Sequence, residues 1–178
     1  MNATQNTKGL VILNTGNGKG KTTAALGMLM RAHGHGQRIC VVQFIKRGTD
    51  RWGEVKTARQ LGIEWHATGI GFRRVGPDSQ RDREASQAGW ALCQEKIASD
   101  TYDMILLDEF TYPLHFGWLD TEAVIGWLAE HKPARLHLII TGRYAPPALI
   151  EFADLVTEMI EVKHPYQSGI LGQPGVEF

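Results

Sequence analysis

The chain has no apolar run approaching the ~18 residues that cross a bilayer. Its polar start, MNATQNTKG, has neither the apolar segment of a signal peptide nor the Arg-rich pattern of a transit peptide. A cytoplasmic, membrane-free protein is the expectation. Cysteine is scarce: Cys40 and Cys93 are the only two, both in apolar surroundings. That is too few for a secreted disulfide scaffold, so they read as buried free thiols. There is no excess of charge either. With 19 basic and 19 acidic residues, general attraction to nucleic acid or an anionic membrane has no basis, and no zinc-finger or RRM pattern occurs. The histidines also fall short of a metal motif. His33 and His35 sit at a helix end, and His66, His115, His131 and His137 have no ligand spacing with Cys, Asp or Glu.

What is present suits a core of ordinary size. The chain has 178 residues and is 43% hydrophobic, which fits one compact domain. Residues 1–8 read as a flexible tail and 9–178 as a single domain. GLVILN (9–14) is a short buried strand, and TTAALGMLMRAHGHG after it has helical spacing, with Ala25, Leu26, Leu29 and Ala32 inward. RICVVQFI (38–45) is apolar almost throughout, as in strands covered on both faces of a parallel sheet. IEWHAT (63–68) is a shorter strand, GIGFRRVGPDSQ a loop, and 80–99 a helix with Ala85, Gly89, Leu92, Cys93 and Ile97 inward. YDMILLDEF (102–110) is a central strand. Asp120 caps the helix TEAVIGWLAEH, LHLIITG (136–142) is the next strand, and PPALIEFA opens a helix with proline. LVTEMIEV (155–162) closes the regular pattern. This alternation, with the glycine-rich TGNGKGKTT (15–23) between the first strand and the first helix, predicts an α/β, three-layer P-loop NTPase-like domain with a mostly parallel central sheet.

Between the first strand and first helix lies TGNGKGKTT. The phosphate-binding pattern G-x-x-x-x-G-K-[ST] is met by Thr15, Gly16, Asn17, Gly18, Lys19, Gly20, Lys21 and Thr22, with Thr23 following; only the first position departs, Thr15 standing for glycine. The glycines let backbone N–H groups converge, and the helix N-terminus adds partial positive charge. Lys21 can reach between phosphates and Thr22 can offer its hydroxyl to Mg²⁺. A glycine turn that binds nothing has no need of a Lys-Thr pair at this place. Thr15 narrows the entrance and suggests a shifted nucleotide.

MILLDEF resembles the second half of such a site. An apolar strand carries Asp108 and Glu109 to the sheet edge, and Mg²⁺ takes hard oxygen ligands of this kind. Because strand side chains alternate, one carboxylate is expected to face the phosphate loop while the other looks away or turns with the strand end. Glu109 is preferred as the direct ligand, with Asp108 organising water or Thr22. Gln43 and Lys46 end the second strand and are candidates to line the groove. Arg143 follows IITG, where its fork suits phosphate oxygens. These parts alone also fit an ATPase or small-molecule kinase releasing ADP.

The remaining motifs resemble the P-loop ATP:corrinoid adenosyltransferases. The matching pieces are TGNGKGKTTAA (15–25), HGQRICVVQFIKRG (35–48), WHATGIGF (65–72), SQRDRE (79–84), DMILLDEF (103–110), IITGR (139–143), ADLVTEM (153–159) and VKHPYQSGILGQPGVEF (162–178). They occur in order over nearly the whole chain, and the missing first glycine is shared by that family. The resemblance implies transfer of the 5′-deoxyadenosyl group of ATP to Co(I) of a reduced corrinoid, with inorganic triphosphate leaving. It implies Mg²⁺ or Mn²⁺, a homodimer, and room for an electron-donating flavoprotein reductase. Lys21, Thr22, Glu109 and Phe72 become the catalytic candidates. Phe72 falls on the aromatic set against the corrin's lower face. The family's Phe-x-Trp is here Phe72-Arg73-Arg74, in a loop longer around Val75–Asp78, so Arg74 stands ready to stack on the macrocycle or meet its side chains.

Overall fold

The structure is a computed structural model that describes residues 8–48, 52–71 and 79–177. Six strands form one sheet in the order β3-β2-β4-β5-β1-β6, and every neighbouring pair is parallel. The strands are β1 (Val11–Thr15), β2 (Ile39–Arg47), β3 (Glu64–Gly69), β4 (Met104–Asp108), β5 (His137–Thr141) and β6 (Leu155–Glu158). β1, β4 and most of β2 are buried along their length, as parallel strands covered on two faces must be. Alternation divides their side chains between two cores. Ile12, Val41, Leu106 and Ile139 pack against α1 (Lys21–Gly34). Leu13, Val42, Leu107 and Ile140 belong to the opposite core with Cys93 and Ile97 of α3 (Gln80–Ala98) and Val124 and Leu128 of α5 (Thr121–His131). The fold is therefore the expected three-layer α/β arrangement.

Ser79 and Asp120 cap α3 and α5 by accepting the N–H groups of Asp82 and Ala123. Pro147 opens α6 (Pro147–Phe152). Two helices are absent from the sequence reading: α2 (Gly53–Gln60) and α4 (Thr111–His115). The first has a strongly polar composition and buries only Ala58; the second is a little over one turn. Neither offers a stripe long enough to show a period. Inward faces also shift by small steps. Asp82 and Ser86 are buried on α3, whereas Ala85 and Leu92 are half-buried. Leu26 is left half-buried on α1 because it borders a cavity.

Candidate functional site

The site is built where the C-terminal ends of β1, β4 and β5 meet the start of α1. The chain leaves β1 at Thr15 and re-enters regular structure at Lys21. Gly20 caps α1 at φ 109°, a conformation that side chains rarely adopt. Gly18 passes so close to the chain leaving β6 that a Cβ there would lie 2.7 Å from the carbonyl carbon of Ile160, and its N–H is donated to Met159 O at 2.7 Å. The loop thus curls back on the sheet edge. Lys21 folds over it and donates from Nζ to Gly16 O at 2.7 Å and Gly18 O at 2.6 Å. Burial, together with the neighbouring Arg143, holds its ammonium below the usual lysine range.

Beneath the loop lies a polar network centred on Asp108. Thr22 Oγ1 donates to Asp108 Oδ1 at 2.8 Å, and Thr141 Oγ1 donates to the same oxygen at 2.7 Å. Gln43 Nε2 donates to Asp108 Oδ2 at 2.8 Å. Asp108 and Gln43 are fully buried, and Thr141 nearly so. Thr141 also accepts the N–H of Glu109 at 3.0 Å, so β5 bridges the strands carrying the loop and the acidic pair. Gln43 does not wall the cavity, as its place at a strand end suggested; it lies below it as a support for Asp108. Its Oε1 has no hydrogen-bond partner.

Glu109 departs from simple alternation. Its φ is 62°, so the chain turns left-handed directly after β4. Both carboxylates then come to the loop side: Asp108 bonds Thr22, and Glu109 lines the cavity with Lys21 and Thr22. Removal from water, and next the Asp108 charge, push the Glu109 carboxyl up to about 7 against the pull of Lys46, Lys21 and Arg143. Lys46 reaches the same cavity because β2 is irregular between Gln43 and Arg47, with Ile45 at φ 54°. It pairs with Glu54 at 3.4 Å and lies over the Trp52 ring, 4.7 Å from its centre. Arg143 also lines the cavity, and its carbonyl accepts the Thr111 hydroxyl at 2.6 Å.

The cavity measures about 840 Å³. Its polar lining includes the loop, Lys46, Glu54, Glu109 and Arg143; its apolar lining includes Leu26 and Leu29 of α1, Ala58 of α2, Leu61 directly after it and Trp65 of β3. The C-terminal segment returns to its mouth, where Glu177 pairs with Lys19 at 3.3 Å. The C-terminal segment is one of the pieces that carry the family resemblance, whereas α2 is a part of the site that no sequence pattern located. Thr15 ends β1 and Gly16 and Asn17 open the loop, but none of the three lines the cavity; Phe72 and Arg74 lie outside the described residues.

A glycine loop between strand and helix, a lysine at its end, and a threonine bonded to an aspartate on a neighbouring buried strand define a P-loop domain. Residues 7–178 match the family described as ATP:corrinoid adenosyltransferase BtuR/CobO/CobP. Similar proteins include a corrinoid adenosyltransferase of a Sinorhizobium species, 42% identical over 96% of this chain and 81% of its own length. Others are those of Pseudomonas aeruginosa, 40% identical over 96% and 84%, and of Escherichia coli K12, 39% identical over 98% and 88%. The chain belongs to the ATP:corrinoid adenosyltransferase family. It is an enzyme, and its general reaction is the ATP-dependent adenosylation of a corrinoid.

Proposed function

We propose that the protein transfers the 5′-deoxyadenosyl group of ATP to Co(I) of a reduced corrinoid and releases inorganic triphosphate. The cobalt electron pair forms the new bond to C5′. The C5′–O bond breaks, and its pair leaves with the triphosphate. The observation that carries this reading is one cavity lined both by anion donors and by apolar side chains. The polyanion is held by the loop N–H groups, Lys21 and Arg143, which leaves the sugar end toward the open, less polar part.

The oxygens gathered near Thr22 suit Mg²⁺ or Mn²⁺, which prefer hard ligands. Asp108 already accepts three side-chain hydrogen bonds, whereas Glu109 faces the cavity. Thr22 and Glu109 are therefore the residues assigned to hold the cation, with Asp108 orienting Thr22. When bound, the cation neutralises charge on the triphosphate. Lys21 matches the growing negative charge of the leaving group. Lys19 and Lys46 add cationic charge beside it. On the corrinoid side, Phe72 excludes water from the lower face and Arg74 meets the macrocycle or its polar side chains.

We further assign the enzyme to the cytoplasm, with a flavoprotein reductase as the source of Co(I). Among the described residues no helix is long and apolar enough to cross a membrane. A homodimer is supported by β6 at the sheet's edge, where Leu155 and Val156 are 48% and 37% exposed; an apolar strand edge of this kind invites pairing.

The test is an anaerobic assay with ATP, Mg²⁺ and chemically reduced cobalamin. Triphosphate seen by phosphorus NMR, together with a carbon–cobalt spectrum, is the expected result. ADP as the product returns the site to the ATPase or kinase reading. Phe72→Ala should spare ATP affinity more than corrinoid turnover, and equal losses would leave Phe72 as a fold anchor only.

A further inference from the structure

A second cluster of chemistry-bearing side chains lies on the other face of the sheet, three residues down the strands from the level of Asp108. Gln43 pairs with Asp108 in the β2–β4 register and Cys40 with Ile105, a separation of roughly 10 Å along the strands. Cys40 also pairs with Glu64, and Val42 with His66, in the β2–β3 register. Cys40, Glu64 and His66 therefore share one face, and it is the face that α3 covers. A thiol sulfur, a carboxylate oxygen and an imidazole nitrogen there all lie within 4.8 Å of one another. The sequence offers no metal spacing because two parallel strands joined by a crossover supply the three groups.

We propose that Cys40, Glu64 and His66 form a binding site for a thiophilic divalent cation of the Zn²⁺ class, separate from the phosphate loop. The donor set is one sulfur, one nitrogen and one oxygen, a combination suited to zinc in a site with one open position. Zinc–ligand lengths of about 2.0–2.3 Å put tetrahedral ligand atoms roughly 3.3–3.7 Å apart, so small side-chain shifts suffice: the His66–Glu64 pair, now at 2.6 Å, opens, and the sulfur, within 4.8 Å of both, draws in. The surroundings fit this use. The second carboxylate oxygen of Glu64 accepts the Tyr102 hydroxyl, the kind of outer contact that fixes a metal-binding carboxylate. The first oxygen already holds a cation, since Lys96 Nζ lies 3.0 Å from it and His66 Nε2 2.6 Å. Lys96 is the competitor. Its flexible side chain starts on α3 and is 18% exposed, so it can swing to solvent when a divalent ion takes its place. Burial and the Glu64 charge push the Cys40 thiol up to about 12; binding must therefore release its proton to solvent as the sulfur–metal bond forms.

The experiment is a titration of the intact protein with Co²⁺, followed by competition with Zn²⁺. A thiolate-to-cobalt charge-transfer band is the readout, and carboxylates of the phosphate-loop site cannot produce it. The band should appear, be displaced by Zn²⁺, vanish in Cys40→Ala, weaken in His66→Asn and survive in Cys93→Ala. Tyr102→Phe should weaken binding about tenfold or more. Lys96→Met should tighten it, which a purely structural ion-pair network does not predict. Absence of the band in the folded wild-type protein overturns the proposal, as does a band that persists in Cys40→Ala. Should Cys40→Ala fail to fold, unchanged cobalt affinity in the partly exposed His66→Asn variant overturns it equally.

Discussion

Thr22 and Asp108 stand 86 residues apart in the chain, and the hydroxyl of the first donates to the carboxylate of the second at 2.8 Å. The bond commits the threonine proton to a buried anion, so the lone pairs of Oγ1 are left for a cation. It also explains why Asp108 is a poor direct ligand: both of its oxygens are engaged by Thr22, Thr141 and Gln43. Asp108→Asn keeps the shape but loses the charge and one acceptor. Apparent Mg²⁺ affinity should fall about 10–100-fold, with metal-free ATP binding nearly unchanged. Calorimetric titrations with and without Mg²⁺ check this, and parallel losses in both would remove Asp108 from the metal's support.

Gln43→Leu tests the same network from below. The substitution leaves Asp108 Oδ2 buried without its donor. Hydrogen bonds to charged groups in such places contribute about 1.5–3 kcal/mol. Denaturant unfolding should register a loss of that size, and the Mg²⁺ dependence of turnover should weaken as Asp108 loses its fixed orientation. A loss in stability alone would make Gln43 a core residue and no more.

Lys21 is held by its own loop: its ammonium is bonded to two of the carbonyls that curl around it. Phosphate oxygens compete with those carbonyls for the same donors. Lys21→Ala should lower turnover by about 10²–10³-fold, the scale seen when one donor to a developing anion is removed. ATP affinity should fall by less, because the backbone N–H groups remain. Steady-state kinetics beside equilibrium nucleotide binding separate the two effects.

The sequence carried the sheet, the loop and the acidic pair because each follows a local rule. Buried parallel strands are continuous apolar runs, and β1, β2, β4 and β5 were visible for that reason. The phosphate loop is a fixed string between a strand and a helix. What stayed hidden depends on backbone exceptions or distant contacts. The left-handed turn at Glu109 brings both carboxylates to one side, and nothing about a Glu at φ 62° is written in its neighbours. Lys46 enters the cavity through an irregularity in β2. The position of Gln43 near a strand end points to the groove, but the β2–β4 register sets it opposite Asp108 and under the site. Helix α2, which lines the cavity with Glu54, Thr57 and Ala58, is too polar to show an inward stripe. The strand order, with β5 between β1 and β4, could be read only from the fold.

Glu109 ties the site to pH. Its carboxyl is raised from 4.5 to about 7, chiefly by burial and then by Asp108. In the folded, metal-free protein it is therefore largely protonated below pH 7 and ionised above. In the unfolded chain it ionises near 4.5, so the native state binds more protons between these two values. Stability linked to this group is fully present below about 4.5 and is lost as pH rises through about 7. Metal binding has the opposite sign, because only the ionised carboxylate is a good ligand. Apparent Mg²⁺ affinity should thus rise as pH passes from 6 to 8, with proton release that is largest at the acid end of that window. Glu109→Gln should abolish both the rise and the proton release, lower activity, and yet raise the melting temperature of the metal-free protein above pH 7 by removing a buried charge. Calorimetry in buffers of different ionisation enthalpy measures the protons directly. A Mg²⁺ affinity that stays flat across this window would mean that Glu109 does not contact the cation.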